Sequence, residues 1–143
     1  MHPFVYQEKE LTCDGVSLAE IAKQAGTPSY LYSAKTILDN FRAYDQSFGD
    51  LPHTVYYALK ASSNLHLLRL LAQAGAGFDI VSGGELFRVI QAGGDPAKVV
   101  FSGVGKTAAE IDQALIAGIH TFNCESEPEL ADRKSTRLNS SHI

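Results

Sequence analysis

The chain has 143 residues, 45 % of them apolar and 20 % charged, the composition of an ordinary globular protein of about one domain. Twelve Lys and Arg against sixteen Asp and Glu give a net charge of −4, which argues against a nucleic-acid binder. There is no apolar run long enough for a membrane span and no basic-then-apolar leader at the start. Cys13 and Cys124 lie far apart, without a CxxC or any metal-ligand spacing, and the five histidines form no HxxxH pair. A cytoplasmic protein with neither a disulfide framework nor a metal site is expected.

In chain order, Ser17 to Ala25 reads as a short helix, with Ser17 and Glu20 as a capping box and Gly26 behind it. Tyr30-Leu31-Tyr32 reads as a strand after Pro28. A second helix runs from Ala34 to about Ser47, with Ile37, Leu38, Phe41 and Tyr44 turned inward. A regular beat then begins. Four apolar runs, Thr54 to Leu59, Phe78 to Val81, Val99 to Ser102 and Ile119 to Asn123, start 20 to 24 residues apart, each followed by a helical pattern. The first of these helices, Asn64 to Ala74, puts Leu65, Leu68, Leu71 and Ala72 on one face and stops at Gly75. The second, Gly83 to Ala92, stops at Gly93; the third, with Ile111, Ala114 and Leu115, stops at Gly118. Ser82 with Glu85, Thr107 with Glu110 and Ser126 with Glu129 are further capping boxes.

Apolar strands alternating with helices mean βα units on a parallel sheet. The expected class is therefore α/β, the N-terminal half of a (β/α)8 TIM-type barrel of about four βα units, a complete barrel needing about 250 residues. A flavodoxin-like sheet competes, but it needs a fifth strand, which only Tyr30 to Tyr32 offers. The open edges of a half barrel predict poor solubility.

The last twelve residues, Asp132 to Ile143, hold three basic groups and one acidic, leaving 1–131 with a net −6. The string DRKSTRLNSSH resembles one reading frame of a short-read sequencing adapter. The expected organisation is a partial barrel domain over 1–131 and a non-native, disordered tail over 132–143.

Lys60 ends the run Val55-Tyr56-Tyr57-Ala58-Leu59. The C-terminal ends of parallel strands form the active face of such folds. An amine partly desolvated there becomes a nucleophile toward carbonyls, although most strand-end lysines simply reach water.

Tyr57-Ala58-Leu59-Lys60-Ala61-Ser62-Ser63-Asn64 resembles the lysine motif of the fold-type III pyridoxal-phosphate decarboxylases. Gly77 to Leu86 (GFDIVSGGEL), Phe101 to Thr107 (FSGVGKT) and Phe122 to Ser126 (FNCES) resemble the motifs that follow, in order and at matching spacing over residues 4 to 131. The last two favour the diaminopimelate branch over the ornithine and arginine branches. The resemblance implies a (β/α)8 barrel with a C-terminal β domain, to which Tyr30 to Tyr32 would belong, and a homodimer with shared active sites. It implies pyridoxal 5'-phosphate held by Lys60, and decarboxylation of meso-2,6-diaminopimelate to L-lysine. It places Ala58 beside the cofactor and Asp79 close to the reacting centre, with Glu85 at a nearby acidic position. The family's stacking histidine, glycine-rich phosphate loop, pyridine-nitrogen carboxylate, substrate arginine and catalytic cysteine find no match in 1–131, so this stretch alone is expected to be inactive.

Each residue also has a plainer role. Asp79 can satisfy donors at a strand end, Glu85 is the third residue of a capped helix, Ser126 is a cap beside Glu125, and Cys124 reads as a small buried filler. Two other functions remain open. A non-catalytic pyridoxal-phosphate-binding protein shares the lysine-ended first strand. Gly103-Val104-Gly105-Lys106-Thr107 ends like a P-loop, the mark of a nucleotide-binding module, but Val100 stands where that loop needs glycine.

Overall fold

The computed structural model describes residues 2–131. The expectation for 132–143 falls outside the described residues. The chain divides after Gly49 into two compact units.

The first unit opens with a three-stranded antiparallel sheet that the sequence reading did not anticipate. Its strands are β1 (Phe4–Gln7), β2 (Glu10–Cys13) and β3 (Val16–Ser17), in that spatial order. The turn between β2 and β3 is Asp14-Gly15, closed by the pair Cys13 and Val16. Both turn residues have positive φ, 52° and 82°, as a two-residue hairpin of the primed type requires. The Asp-Gly pair was the sequence signal for it. Ser17 then caps α1 (Leu18–Ala25) by accepting the Glu20 N–H, as expected. Ser33 caps α2 (Ala34–Gln46), and its hydroxyl donates to Asp14 at 2.6 Å, tying the start of α2 to the hairpin turn.

Two expectations for this unit fail. Tyr30 to Tyr32 forms no strand: Tyr30 is 93 % exposed, and no neighbouring strand pairs with the segment. An apolar triplet without a partner for its N–H and C=O groups has no ladder to join. Tyr44 lies outward on α2, where its ring meets Phe48 edge-on at 5.7 Å.

The second unit follows the expected beat. A parallel sheet of β4 (Tyr56–Ala58), β5 (Gly77–Ile80), β6 (Val99–Phe101) and β7 (Thr121–Phe122) is ordered as in the sequence. Between these strands run α3 (Leu65–Gln73), α4 (Gly83–Gln91) and α5 (Ala108–Ala117). Phe78, Ile80, Val99 and Phe101 are fully buried, as are Leu68, Leu71, Val89, Ile111 and Ala114 of the helices. The intervening residues Asp79 and Val100 are only half-buried. Side chains alternate faces along a strand. One face of the sheet therefore carries the core under the helices, and the other carries Ala58, Asp79, Val100 and Thr121. Within α3, Leu67 takes a buried place while Leu65 stays exposed. Close packing demands glycine at Gly77, where a Cβ would sit 2.7 Å from the Tyr56 ring and 2.9 Å from the Lys98 carbonyl.

Candidate active site

The register of the sheet sets the site. Ala58 pairs with Asp79, Asp79 with Val100, and Val100 with Thr121, so a column of neighbours recurs every 21 residues. Two residues further along each strand the same beat gives Lys60, Val81, Ser102 and Asn123. Ser102 and Asn123 continue the ladder, their N–H groups donating to Ile80 and Phe101 carbonyls at 2.7 and 2.9 Å. These residues form the C-terminal rim of the sheet.

Lys60 lies in a single 3-10 turn, Leu59–Ala61, directly after β4. Leu59 anchors that turn in the core. The Tyr57 hydroxyl donates to the Ser62 carbonyl at 3.1 Å, and Asn64 caps α3 by accepting the His66 and Leu67 N–H groups. Arg88 of α4 donates to the Ser63 carbonyl. The backbone on both sides of Lys60 is thus fixed, while the lysine is exposed. Like most lysines at strand ends, Lys60 reaches water among the described residues.

Asp79 accepts a hydrogen bond from the Ser102 hydroxyl on Oδ1, and Ser102 in turn accepts one from the Asn123 amide at 2.9 Å. Three adjacent strand ends are thereby linked from β7 to β5. Oδ2 of Asp79 has no hydrogen-bond partner among the described residues. Lys60 and Asp79 share the rim without a direct hydrogen bond or ion pair among the described residues, and Ala58, beside Asp79, presents only a methyl group.

Glu85 is occupied elsewhere. Its Oε2 accepts the Val81 N–H at 2.7 Å while its own N–H donates to Ser82. Glu129 repeats the arrangement, accepting the Glu125 N–H at 2.9 Å with its own N–H on Ser126. In both, the carboxylate reaches the N–H one residue before the cap. Thr107 and Glu110 form the regular reciprocal box. Glu110 also accepts the Gly83 N–H at 2.8 Å, joining the starts of α4 and α5. That bond, then the Thr107 N–H and hydroxyl, hold its carboxyl below the usual glutamate range.

The sequence reading missed Ser102, Asn123, Lys106 and Glu129 as a connected group. The Lys106 side chain has 0 % exposure. Its ammonium donates to the Gly103 carbonyl, to the Asn123 carbonyl at 2.9 Å and to Glu129 Oε1 at 2.7 Å. With three donors placed on three acceptors, none is left for a phosphate chain, and the P-loop reading of Gly103 to Thr107 falls. The 21-residue beat was the available signal for Ser102 and Asn123. Cys124 is exposed, not a buried filler, because it follows the rim where the chain leaves the sheet. No group of three or more His, Cys, Asp or Glu able to hold a metal occurs among the described residues.

The model of the pyridoxal-dependent decarboxylase family, pyridoxal binding domain, matches residues 34–140. The chain belongs to that family. It is 55 % identical over 130 residues to a diaminopimelate decarboxylase of Pseudomonas aeruginosa and 57 % identical over 131 residues to one of Vibrio cholerae. Each match covers 91 % of this chain and 31 % of the relative. The crystal structure of diaminopimelate decarboxylase from M. jannaschii in co-complex with L-lysine superposes with a TM-score of 0.88 at 33 % identity, covering 96 % of this chain and 33 % of that one. The chain thus spans about a third of the length of these relatives. The α/β class and the parallel sheet agree with this kinship.

Proposed function

We propose that this chain is the lysine-bearing part of a decarboxylase that converts meso-2,6-diaminopimelate to L-lysine and carbon dioxide, with pyridoxal 5'-phosphate as cofactor. The observation that carries the reading is Lys60: a lysine on a fixed turn at the C-terminal end of the first parallel strand, in a sequence 55 to 57 % identical to two proteins of that name. The four βα units form half of a (β/α)8 barrel, and the whole protein works as a cytoplasmic homodimer. Among the described residues no helix is long and apolar enough to cross a membrane.

The rim fits the cofactor at its reactive end. Lys60 would offer the amine that holds the aldehyde, Ala58 leaves space beside it, and Asp79 offers a carboxylate oxygen with no hydrogen-bond partner among the described residues. When bound, the cofactor supplies a sink for the electron pair left as carbon dioxide departs. Asp79, held by Ser102, would turn its carboxyl group toward the reacting centre. Glu85 acts one step back, fixing the β5–α4 turn through Val81. Fastening of the backbone around Lys60 by Tyr57, Asn64 and Arg88 keeps the amine in reach of a partner approaching the rim.

Borohydride reduction of the chain with pyridoxal 5'-phosphate, followed by peptide mass spectrometry, tests the assignment. The label is expected on Lys60 ahead of the other exposed lysines and to leave that peptide in Lys60→Ala. A label spread evenly over Lys9, Lys23 and Lys35 refutes it. Residues 1–143 alone are expected to release no carbon dioxide from diaminopimelate above the Lys60→Ala control.

A further inference from the structure

Lys106 and Glu129 form an ion pair outside the reactive end of the rim, and the proposed chemistry gives them no part. Their setting is unusual for a surface loop. The Lys106 side chain is fully covered, that of Glu129 is 10 % exposed, and the Phe101 ring lies 5.7 Å from the ammonium. Phe101 stacks in turn on Phe122 at 5.8 Å, so the pair sits on the two strands whose ends carry Ser102 and Asn123. The two carbonyls that Lys106 holds belong to Gly103, next to Ser102, and to Asn123 itself. Glu129 completes the fastening from the helical residues 127–131. A buried ammonium with every donor used fixes its acceptors, because letting go of one leaves a charge unsolvated.

We propose that Lys106 is a positioning residue: it clamps the loops after β6 and β7 together and so sets the Asn123–Ser102–Asp79 hydrogen-bond chain that orients the Asp79 carboxylate at the strand ends. The direction of the chain follows from its chemistry. An amide N–H can only donate, so Asn123 gives its hydrogen to Ser102 Oγ. The Ser102 hydroxyl then has its own hydrogen to give, and Asp79 Oδ1 receives it. One carboxylate oxygen is consumed and the other stays available on the rim. Freed from the clamp, Asn123 no longer meets Ser102 in one geometry, and the hydroxyl can turn away from Asp79. The inference rests on the proposed function only for what Asp79 does; the geometry it concerns is a property of the chain.

The test follows the NMR resonance of the Asp79 carboxyl carbon in the 143-residue chain without cofactor. Ser102→Ala, which removes the donor, sets the size of the displacement. Lys106→Met combined with Glu129→Gln, which leaves no buried orphan charge, is expected to move the resonance in the same direction by a comparable amount. Asn123→Ala, which cuts the chain without touching the ion pair, is expected to do the same and serves if the first pair of substitutions unfolds the protein. Gly94→Ala, which strains the same sheet from its helix-covered face, is expected to leave it in place. An Asp79 resonance unmoved by the Lys106 and Glu129 variant, unmoved by Asn123→Ala, or moved equally by Gly94→Ala overturns the proposal. Labelling of Lys60 by borohydride-fixed pyridoxal phosphate is read separately. Its failure removes the proposed function and leaves the carboxylate result to decide the clamp.

Discussion

Glu110 offers the sharpest test of how the βα units are joined. Three hydrogen bonds converge on its carboxylate, from the Gly83 N–H at 2.8 Å, the Thr107 N–H at 3.0 Å and the Thr107 hydroxyl at 2.9 Å. A hydrogen bond to a charged group contributes about 1.5–3 kcal/mol, with the lower end proper to exposed partners. The Gly83 bond is partly buried, whereas both Thr107 donors are exposed and return to water when the carboxylate is removed, so Glu110→Ala is expected to cost the worth of one such bond, roughly 1.5–3 kcal/mol. That is a large share of the roughly 5–15 kcal/mol that stabilises a domain. Glu110→Gln keeps a neutral acceptor for one of the two N–H groups and is expected to cost about 1 kcal/mol. The pH dependence follows from the lowered carboxyl. Its folded value lies below its unfolded one, so the contribution is complete above the ordinary glutamate range and disappears as pH falls through the folded value. The gap between the unsubstituted chain and Glu110→Gln is therefore expected to close in acid. Urea unfolding at neutral and acidic pH measures the gap, and hydrogen exchange at the Gly83 N–H reports the inter-helix bond itself. A gap independent of pH, or a Gly83 amide equally protected in Glu110→Ala, refutes the reasoning.

The glycines separate packing from backbone. A Cβ on Gly94 would lie 2.6 Å from Val89 Cγ1 and 3.0 Å from Phe78 Cε2, so Gly94→Ala is expected to destabilise by about 1–3 kcal/mol in urea melts. Gly84, inside α4, would meet only Ser82 Oγ at 3.9 Å, and Gly84→Ala is expected to be stabilising by up to about 1 kcal/mol; a loss equal to that of Gly94→Ala would contradict the packing described. The two thiols differ in access. Cys13 is buried, and burial, aided by Asp14, pushes its thiol above the usual range, whereas Cys124 is exposed. A thiol-alkylating reagent under native conditions is expected to modify Cys124 first and Cys13 only on unfolding, as mass spectrometry of the two peptides will show.

The sequence by itself determined the repeating unit. A strand, a Ser, Thr or Asn cap and a closing glycine recur along residues 54 to 123, and each signal is local, arising from φ preferences and side-chain-to-backbone bonds within four residues. Ser82, Thr107 and Gly118 accordingly stand where they were expected. The place of Lys60 just past β4 was legible for the same reason, since a strand's C-terminal end is marked by where its apolar run stops, whereas its expected role came from the resemblance of the residues around it. The N-terminal hairpin was equally local, in its Asp14-Gly15 turn, but it lay outside the beat.

Only the tertiary structure decided which partners the rim residues take. Tyr30 to Tyr32 had the composition of a strand and found no partner edge, because a strand is a property of a pair. Glu85 and Asp79 are both carboxylates near the lysine in sequence, yet one is spent on the Val81 N–H and the other faces the rim through Ser102. The sequence around Lys106 ended like a P-loop but lacked its first glycine, and only the fold shows that the ammonium is taken up by Asn123 and Glu129. Hydrogen bonds between strand ends depend on register, and register is fixed only when the central strands β5 and β6 bury Phe78, Ile80, Val99 and Phe101 under the helices.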